Sequence, residues 1–243
     1  MTTYYAQKLA GRRLERCYEV APPRVRQYLE AEIRQILERI QGAGRVLELG
    51  CGYGRIATRL AAPERLVVGI DLATESIGLA TTMAGSGHPC RFLLMDAIAL
   101  AFPDDAFDVV VCVQNGICAF RVDQRLLLAE ALRVIRPGGS VLVSAYAERF
   151  WSHRLAWFEA QAAEGLVGPI DRERTGNGVI TCTDGFRSGQ LAPDELRALC
   201  ADLGVPVNMS EVDGSSLFGE ITRPPGWRDA PAGSFRRSQL STS

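Results

Sequence analysis

Arg45-Val-Leu-Glu-Leu-Gly-Cys-Gly-Tyr-Gly54 is the stretch around which the rest of the chain arranges itself. Residues 45–49 read as a short apolar strand, stopped by Gly50, Gly52 and Gly54 at alternate positions. Glycine in such a turn lets the main chain approach a ligand closely, and the helix that starts beyond it offers unpaired amides. That helix is expected over residues 53–61, stopping near Pro63. A dinucleotide turn places its third glycine one position later, where Arg55 stands, which weakens a nicotinamide reading.

Downstream, apolar runs at 66–70, 90–94, 108–113 and 140–145 read as further strands, with helices at 74–83 and 123–135. Thr74 is the expected cap of the first of these helices. Strands apolar throughout, alternating with helices, indicate a parallel sheet covered on both faces. Right-handed crossovers make it doubly wound. Upstream, Val25, Leu29, Ile33, Ile36, Leu37 and Ile40 form a helical stripe over 24–41, opened by Pro22 and Pro23.

After residue 145 the pattern breaks. Residues 149–166 read as an aromatic-rich helix, and 178–182 and 186–190 flank Asp184-Gly185 as a hairpin. A helix at 193–203 and strands at 205–212 and 216–221, joined by Asp213-Gly214, resume the sheet. With no helix between them, the last two strands pair as an antiparallel hairpin. The expected fold is α/β: a doubly wound, Rossmann-like, seven-stranded sheet, mostly parallel, with a C-terminal antiparallel hairpin and a cap insertion. One domain is expected over 1–222, with an N-terminal helical lid in 1–41 and the cap in 146–190. Pro, Gly, Ser and Arg dominate 223–243, which reads as a flexible tail.

Composition narrows the function. The chain has 243 residues, 47% hydrophobic and 23% charged, with a formal net charge of −1. That composition is globular, and it offers no basic field for a nucleic acid backbone. No apolar run approaches the roughly 20 residues that span a bilayer, so no membrane partner is expected. Seven cysteines, an odd number without CxxC spacing, fit reduced and mostly buried thiols in a cytoplasmic protein. Two histidines give no His-rich metal site, and no metal is expected.

Candidate ligand contacts fall where strands end, because doubly wound sheets bind ligands beyond the strand C-termini. Asp71, with Leu72 beside it, ends the second strand and can accept both hydroxyls of a ribose. Asp96 and Ala97 follow the third strand, where a carboxylate and an amide can read an adenine edge. Gln114 and Asn115 follow the fourth. Glu48 lies two residues before the first glycine, and Cys51 lies within the turn.

Together with Arg136-Pro-Gly-Gly139, this ordered set over residues 45–145 resembles the class I S-adenosylmethionine-dependent methyltransferases. The run from Met95 to Asp108 is similar to the small-molecule branch that includes quinone-biosynthesis enzymes. The resemblance implies S-adenosyl-L-methionine as cofactor. Its amino acid end is expected over Glu48, Gly50, Cys51, Gly52 and Gly54, its ribose on Asp71 and its adenine near Asp96. Gln114 and Asn115 are expected to line the region of the methyl group. The chemistry implied is in-line displacement at a sulfonium methyl, in which the protein aligns the nucleophile and excludes water.

The acceptor is expected to be a small molecule held beneath the lid and cap. Tyr4, Tyr5 and Tyr18 are lid candidates, and His153 is the candidate proton acceptor. Cys17, Cys51 and Cys118 raise the alternative of thiolate-held metalloid methylation. A further alternative is a module that binds the cofactor without catalysis. The oligomeric state is left open.

Overall fold

A computed structural model describes residues 4–228. Two short helices open it, α1 (Tyr4–Lys8) and α2 (Gly11–Glu19). The helix α3 (Pro23–Arg39) begins on a proline, where the missing amide costs nothing. The alternation then runs β1 (Arg45–Leu49), α4 (Ala57–Leu60), β2 (Leu66–Asp71), α5 (Thr74–Ala84), β3 (Cys90–Leu94), β4 (Phe107–Cys112), α6 (Gly116–Ala119), α7 (Gln124–Val134) and β5 (Ile135–Tyr146). The cap follows, with α8 (Trp151–Ala163) and the hairpin β6 (Ile180–Thr181) and β7 (Arg187–Ser188). The chain closes with α9 (Pro193–Asp202), β8 (Val207–Val212) and β9 (Ser216–Thr222).

Seven strands form one sheet in the order β3-β2-β1-β4-β5-β9-β8. The first five are parallel, and β9 inserts antiparallel between β5 and β8. The strand order reverses between β1 and β4, so a crevice opens at their C-terminal ends. Neighbouring strand residues face opposite layers. Val46, Val67, Val109 and Val111 meet Ile33 and Ile36 of α3 and Ile40 just past its end. Leu47, Val68, Val110 and Val141 meet Leu127 and Leu132 of α7 and Leu196 of α9. Each full burial of such a side chain contributes roughly 1.5–3 kcal/mol, and a one-residue slip would reverse every one of them.

The doubly wound sheet with its antiparallel edge hairpin is as the sequence led us to expect. Several local expectations need correction. The helix expected over 53–61 is regular only over Ala57–Leu60, because the glycine turn consumes its start: Gly54 N donates to Cys51 O at 2.9 Å. Thr74 does not cap α5; Ala73 holds that position, and its amide is taken by Asp71 Oδ1 at 2.9 Å. The helix α3 is no part of a lid, since its apolar stripe is buried on the sheet. Of the three N-terminal helices, α1 and α2 supply residues to the cavity at the sheet crest. The flexible tail does not begin at residue 223: Arg223 is buried and bonded to Ile135 O and Asp105, and Trp227 Nε1 donates to Leu203 O at 2.8 Å. Residues 229–243 lie outside those described. Among the described residues no helix is long and apolar enough to cross a membrane.

Candidate active site

The turn from β1 into α4 forms the floor of a cavity at the switch point of the sheet. Gly50, Gly52 and Gly54 have φ of +71°, +52° and +82°, conformations that L side chains rarely adopt. A Cβ on Gly52 would lie 2.7 Å from Leu14 Cδ2, and one on Gly50 would lie 2.9 Å from Phe120 Cζ. The main chain is therefore bare on the side where α2 and the end of α6 close over it.

Two acids serve this floor. Asp71 ends β2; its Oδ2 accepts from Gly52 N and its Oδ1 from Ala73 N, both at 2.9 Å. Burial raises its pKa, opposed by those amides. Glu48 is buried in β1, and its Oε2 has no hydrogen-bond partner among the described residues. Burial pushes its carboxyl up to about 8, with the Arg55 charge pulling the other way. Arg55 also borders the cavity; its guanidinium lies 4.4 Å from the Tyr18 ring centroid and donates to Gln114 Oε1.

The turn after β4 forms the opposite wall. Gln114 and Asn115 both have positive φ, +54° and +63°. The strained turn is held from behind: Gln114 N donates to Ser144 Oγ at 2.8 Å and to Glu32 Oε2 at 3.1 Å. Glu32 is fully buried on α3, and burial pushes its carboxyl up to about 7. Tyr5, Leu9, Leu14 and Tyr18 form the roof. The roof is fastened down by Tyr4 Oη, which donates to Asp184 Oδ2 at 2.5 Å, and by Gly11 N, which donates to Ser76 Oγ at 3.0 Å.

Glu48, Gly50, Cys51, Gly52, Asp71, Leu72 and Gln114 thus line one cavity, as do the lid tyrosines Tyr5 and Tyr18. Gly54 lies at the end of the turn, packed toward Phe92 and Ala80. Asp96 and Ala97 stand off the wall: Asp96 Oδ1 accepts from Ile98 N at 3.1 Å, and Ala97 is buried in the sheet core. They still follow β3 at the same crest, where Met95 N donates to Asp71 O at 3.1 Å. Asn115 lies behind the wall, its Nδ2 donating to Gly189 O at 3.1 Å.

Two expectations fail here. His153 is exposed on α8 with its ring 5.6 Å from that of Phe150, and it does not border the cavity. The turn of α8 that buries Arg154, Trp157 and Phe158 points His153 outward, so it is not placed as a base. The cap does not line the cavity either. Phe158 and Phe186 pack on Leu9 and Cys17, and Trp157 Nε1 donates to Cys17 O at 2.8 Å, so the cap braces the roof from outside. The thiol alternative also loses ground. Cys17, Cys51 and Cys118 belong to different packing environments, and burial raises the pKa of each thiol, disfavouring the thiolates a metalloid would need.

A family model described as a methyltransferase domain matches residues 46–139. A demethylmenaquinone methyltransferase of Thermus thermophilus is 41% identical over 180 residues, 67% of this chain and 74% of that protein. This chain belongs to the class I S-adenosylmethionine-dependent methyltransferases. A 2-methyl-6-phytyl-1,4-hydroquinone methyltransferase of Synechocystis is 27% identical over 223 residues, 85% of this chain. The chain spans just under two thirds of that relative's length, 66%. A solved structure from Pyrococcus horikoshii shares the fold, with a TM-score of 0.65 at 20% identity over 92% of this chain and 99% of that one.

The class I cofactor, S-adenosylmethionine, suits the groups present. An unpartnered buried carboxyl oxygen on Glu48 suits a ligand with a cationic end, and the glycine turn brings main chain without side chains to the cavity lining, covered by Leu14 and Phe120. Sequence reasoning passed over Glu32 and Arg55. Glu32 was readable in principle as a lone acid between Ala31 and Ile33 on a buried stripe. Arg55 registered only as the residue that breaks a dinucleotide pattern.

Proposed function

We propose that this methyltransferase binds S-adenosylmethionine across the β1–β4 crevice and transfers its methyl group to a small-molecule acceptor by in-line displacement. The bound cofactor supplies a methyl already activated on a sulfonium, so the protein's work is binding, alignment and exclusion of water. The observation that carries this reading is the meeting of Glu48, the bare Gly50–Gly52 main chain and Asp71 in one cavity.

Glu48 accepts from the cofactor's ammonium group, which would draw the proton off its raised carboxyl. Arg55 pairs with the carboxylate. Asp71 turns from Gly52 N to the ribose hydroxyls. Asp96 and Ala97, beside Asp71 on the crest, take the adenine edge after a local adjustment. Tyr5, Leu14 and Tyr18 close over the reacting groups and keep water out. The apolar and aromatic roof, together with the acceptors named for the Thermus and Synechocystis relatives, supports a flat, largely apolar acceptor such as a quinol.

Calorimetry with S-adenosylmethionine tests the cofactor half, with Asp71→Ala expected to weaken binding at least tenfold. Release of S-adenosylhomocysteine with a panel of hydroquinones tests the transfer. Binding without release from any acceptor would leave a non-catalytic binding module instead.

A further inference from the structure

Arg55 and Gln114 sit on the turns that follow β1 and β4, on opposite sides of the cavity, and both line it. Their side chains meet across it: Arg55 Nη2 donates to Gln114 Oε1. The Tyr18 ring, part of the roof, covers the guanidinium with its centroid 4.4 Å away. Floor, far wall and roof are therefore joined at one point. The guanidinium is only partly matched there. It engages a neutral amide, whereas a carboxylate offers it two parallel bonds and an opposite charge. Glu48 feels the Arg55 charge, yet its Oε2 has no hydrogen-bond partner among the described residues.

Gln114 supplies an independent observation. Its main chain is fixed: φ is +54°, and its N–H is taken by Ser144 Oγ and Glu32 Oε2. A guanidinium only donates, so the amide oxygen is the end that faces Arg55. The other end, Nε2, is buried without a hydrogen-bond partner among the described residues. Leaving a buried amide donor unpaired is unfavourable, and the contact with Arg55 fixes the orientation that leaves it so.

We propose that Arg55 is a two-position switch that couples the two substrates. Without cofactor it holds Gln114. The cofactor's carboxylate draws it away, and the released Gln114 amide, with its donor and its acceptor both free, then orients an oxygen of the methyl acceptor. This rests on the methyltransferase reading above, which gives Arg55 to that carboxylate. It adds a reason for the pairing to ready the acceptor side, and by reciprocity each substrate tightens the binding of the other.

The test is calorimetry on the full chain with S-adenosylhomocysteine and with 5′-methylthioadenosine, which lacks the amino acid end and so leaves Arg55 on Gln114. Gln114→Glu gives the guanidinium a fixed carboxylate and should weaken S-adenosylhomocysteine binding about tenfold. Gln114→Asn tolerates the positive φ but falls one methylene short of Arg55, so it should tighten that binding severalfold. Neither should move the affinity for 5′-methylthioadenosine, which a disturbed fold would lower. In an Arg55→Gln background, Gln114→Asn should no longer have an effect. For the acceptor half, 1,4-dihydroxynaphthalene kept reduced with dithiothreitol should bind the S-adenosylhomocysteine complex about fivefold more tightly than the 5′-methylthioadenosine complex. Gln114→Asn should close that gap. An unchanged affinity for S-adenosylhomocysteine in both Gln114 variants, or an effect that persists without Arg55, overturns the switch. No binding of the naphthalene diol, equal binding to both complexes, or a gap that survives Gln114→Asn overturns the acceptor role of Gln114. A wild-type chain that binds neither nucleoside overturns the cofactor reading itself, a different result.

Discussion

At Glu48 and Glu32 the protein holds carboxyls where water cannot solvate their charge, and both keep a proton well above their ordinary value of 4.5. The folded chain therefore binds more protons than the unfolded chain between about pH 4.5 and pH 8. Their contribution to stability is complete below the lower limit and is lost as pH rises through about 7 for Glu32 and about 8 for Glu48. The Tm of the ligand-free protein should fall over that interval, and Glu48→Gln should flatten the upper part; a wild-type curve as flat as the variant's would contradict the burial argument. Binding of a cationic ligand group to Glu48 should release protons at pH 7, measurable as a dependence of calorimetric enthalpy on buffer, and the release should shrink in Glu48→Gln. At Gly52 the constraint is steric. An alanine there meets both a φ of +52° and Leu14 Cδ2 at 2.7 Å. Gly52→Ala should cost about 1–2 kcal/mol of stability from the left-handed backbone alone. Leu14→Ala should recover little of that loss but much of the lost S-adenosylhomocysteine affinity.

Among the elements, α1 and α2 decide how the cavity opens. With Leu9 between them they supply the four roof residues, yet α1 is fastened at its two ends by Tyr4 and by Lys8 Nζ, which donates to Asp184 O at 3.1 Å. Exposed contacts of this kind each contribute at most about 1 kcal/mol. Tyr4→Phe and Asp184→Asn should thus leave the Tm nearly unchanged. Both should speed S-adenosylhomocysteine dissociation severalfold in stopped-flow measurements; unaltered rates would mean that α1 does not gate the cavity. The strands and the helices α3, α5, α7 and α9 were legible in sequence because their apolar periodicity records which face is buried. The start of α4, the anchoring of Arg223 and Trp227, and the orientation of His153 were not. Each depends on a partner distant in the chain or on the phase of a helix that is apolar on more than one side.

For the whole molecule, the crevice lies at the switch point between β1 and β4, and its floor and opposite wall are the turns that leave those two strands. Ligand binding should therefore couple to global unfolding. S-adenosylhomocysteine at a hundredfold excess over its Kd should add about 2.7 kcal/mol, a rise of roughly 5–10 °C in Tm for a chain of this size. A shift confined to local probes on α1 and α2 would show that the site is not built into the sheet.

The apolar strand runs and the glycine turn were enough, by themselves, to determine the sheet and its crest, because strand burial and turn conformation are local properties of residue type; the cofactor class came with the family resemblance that the glycines and acids carry. Which groups share the cavity was decided only by tertiary packing. Glu32 reaches Gln114 across 82 positions of sequence, and Asn115 and Arg154 meet on a carbonyl contributed by the cap. Burial, which pushes the Glu32 carboxyl up and takes the Arg154 guanidinium out of water, is a property of the assembled layers and of no single segment.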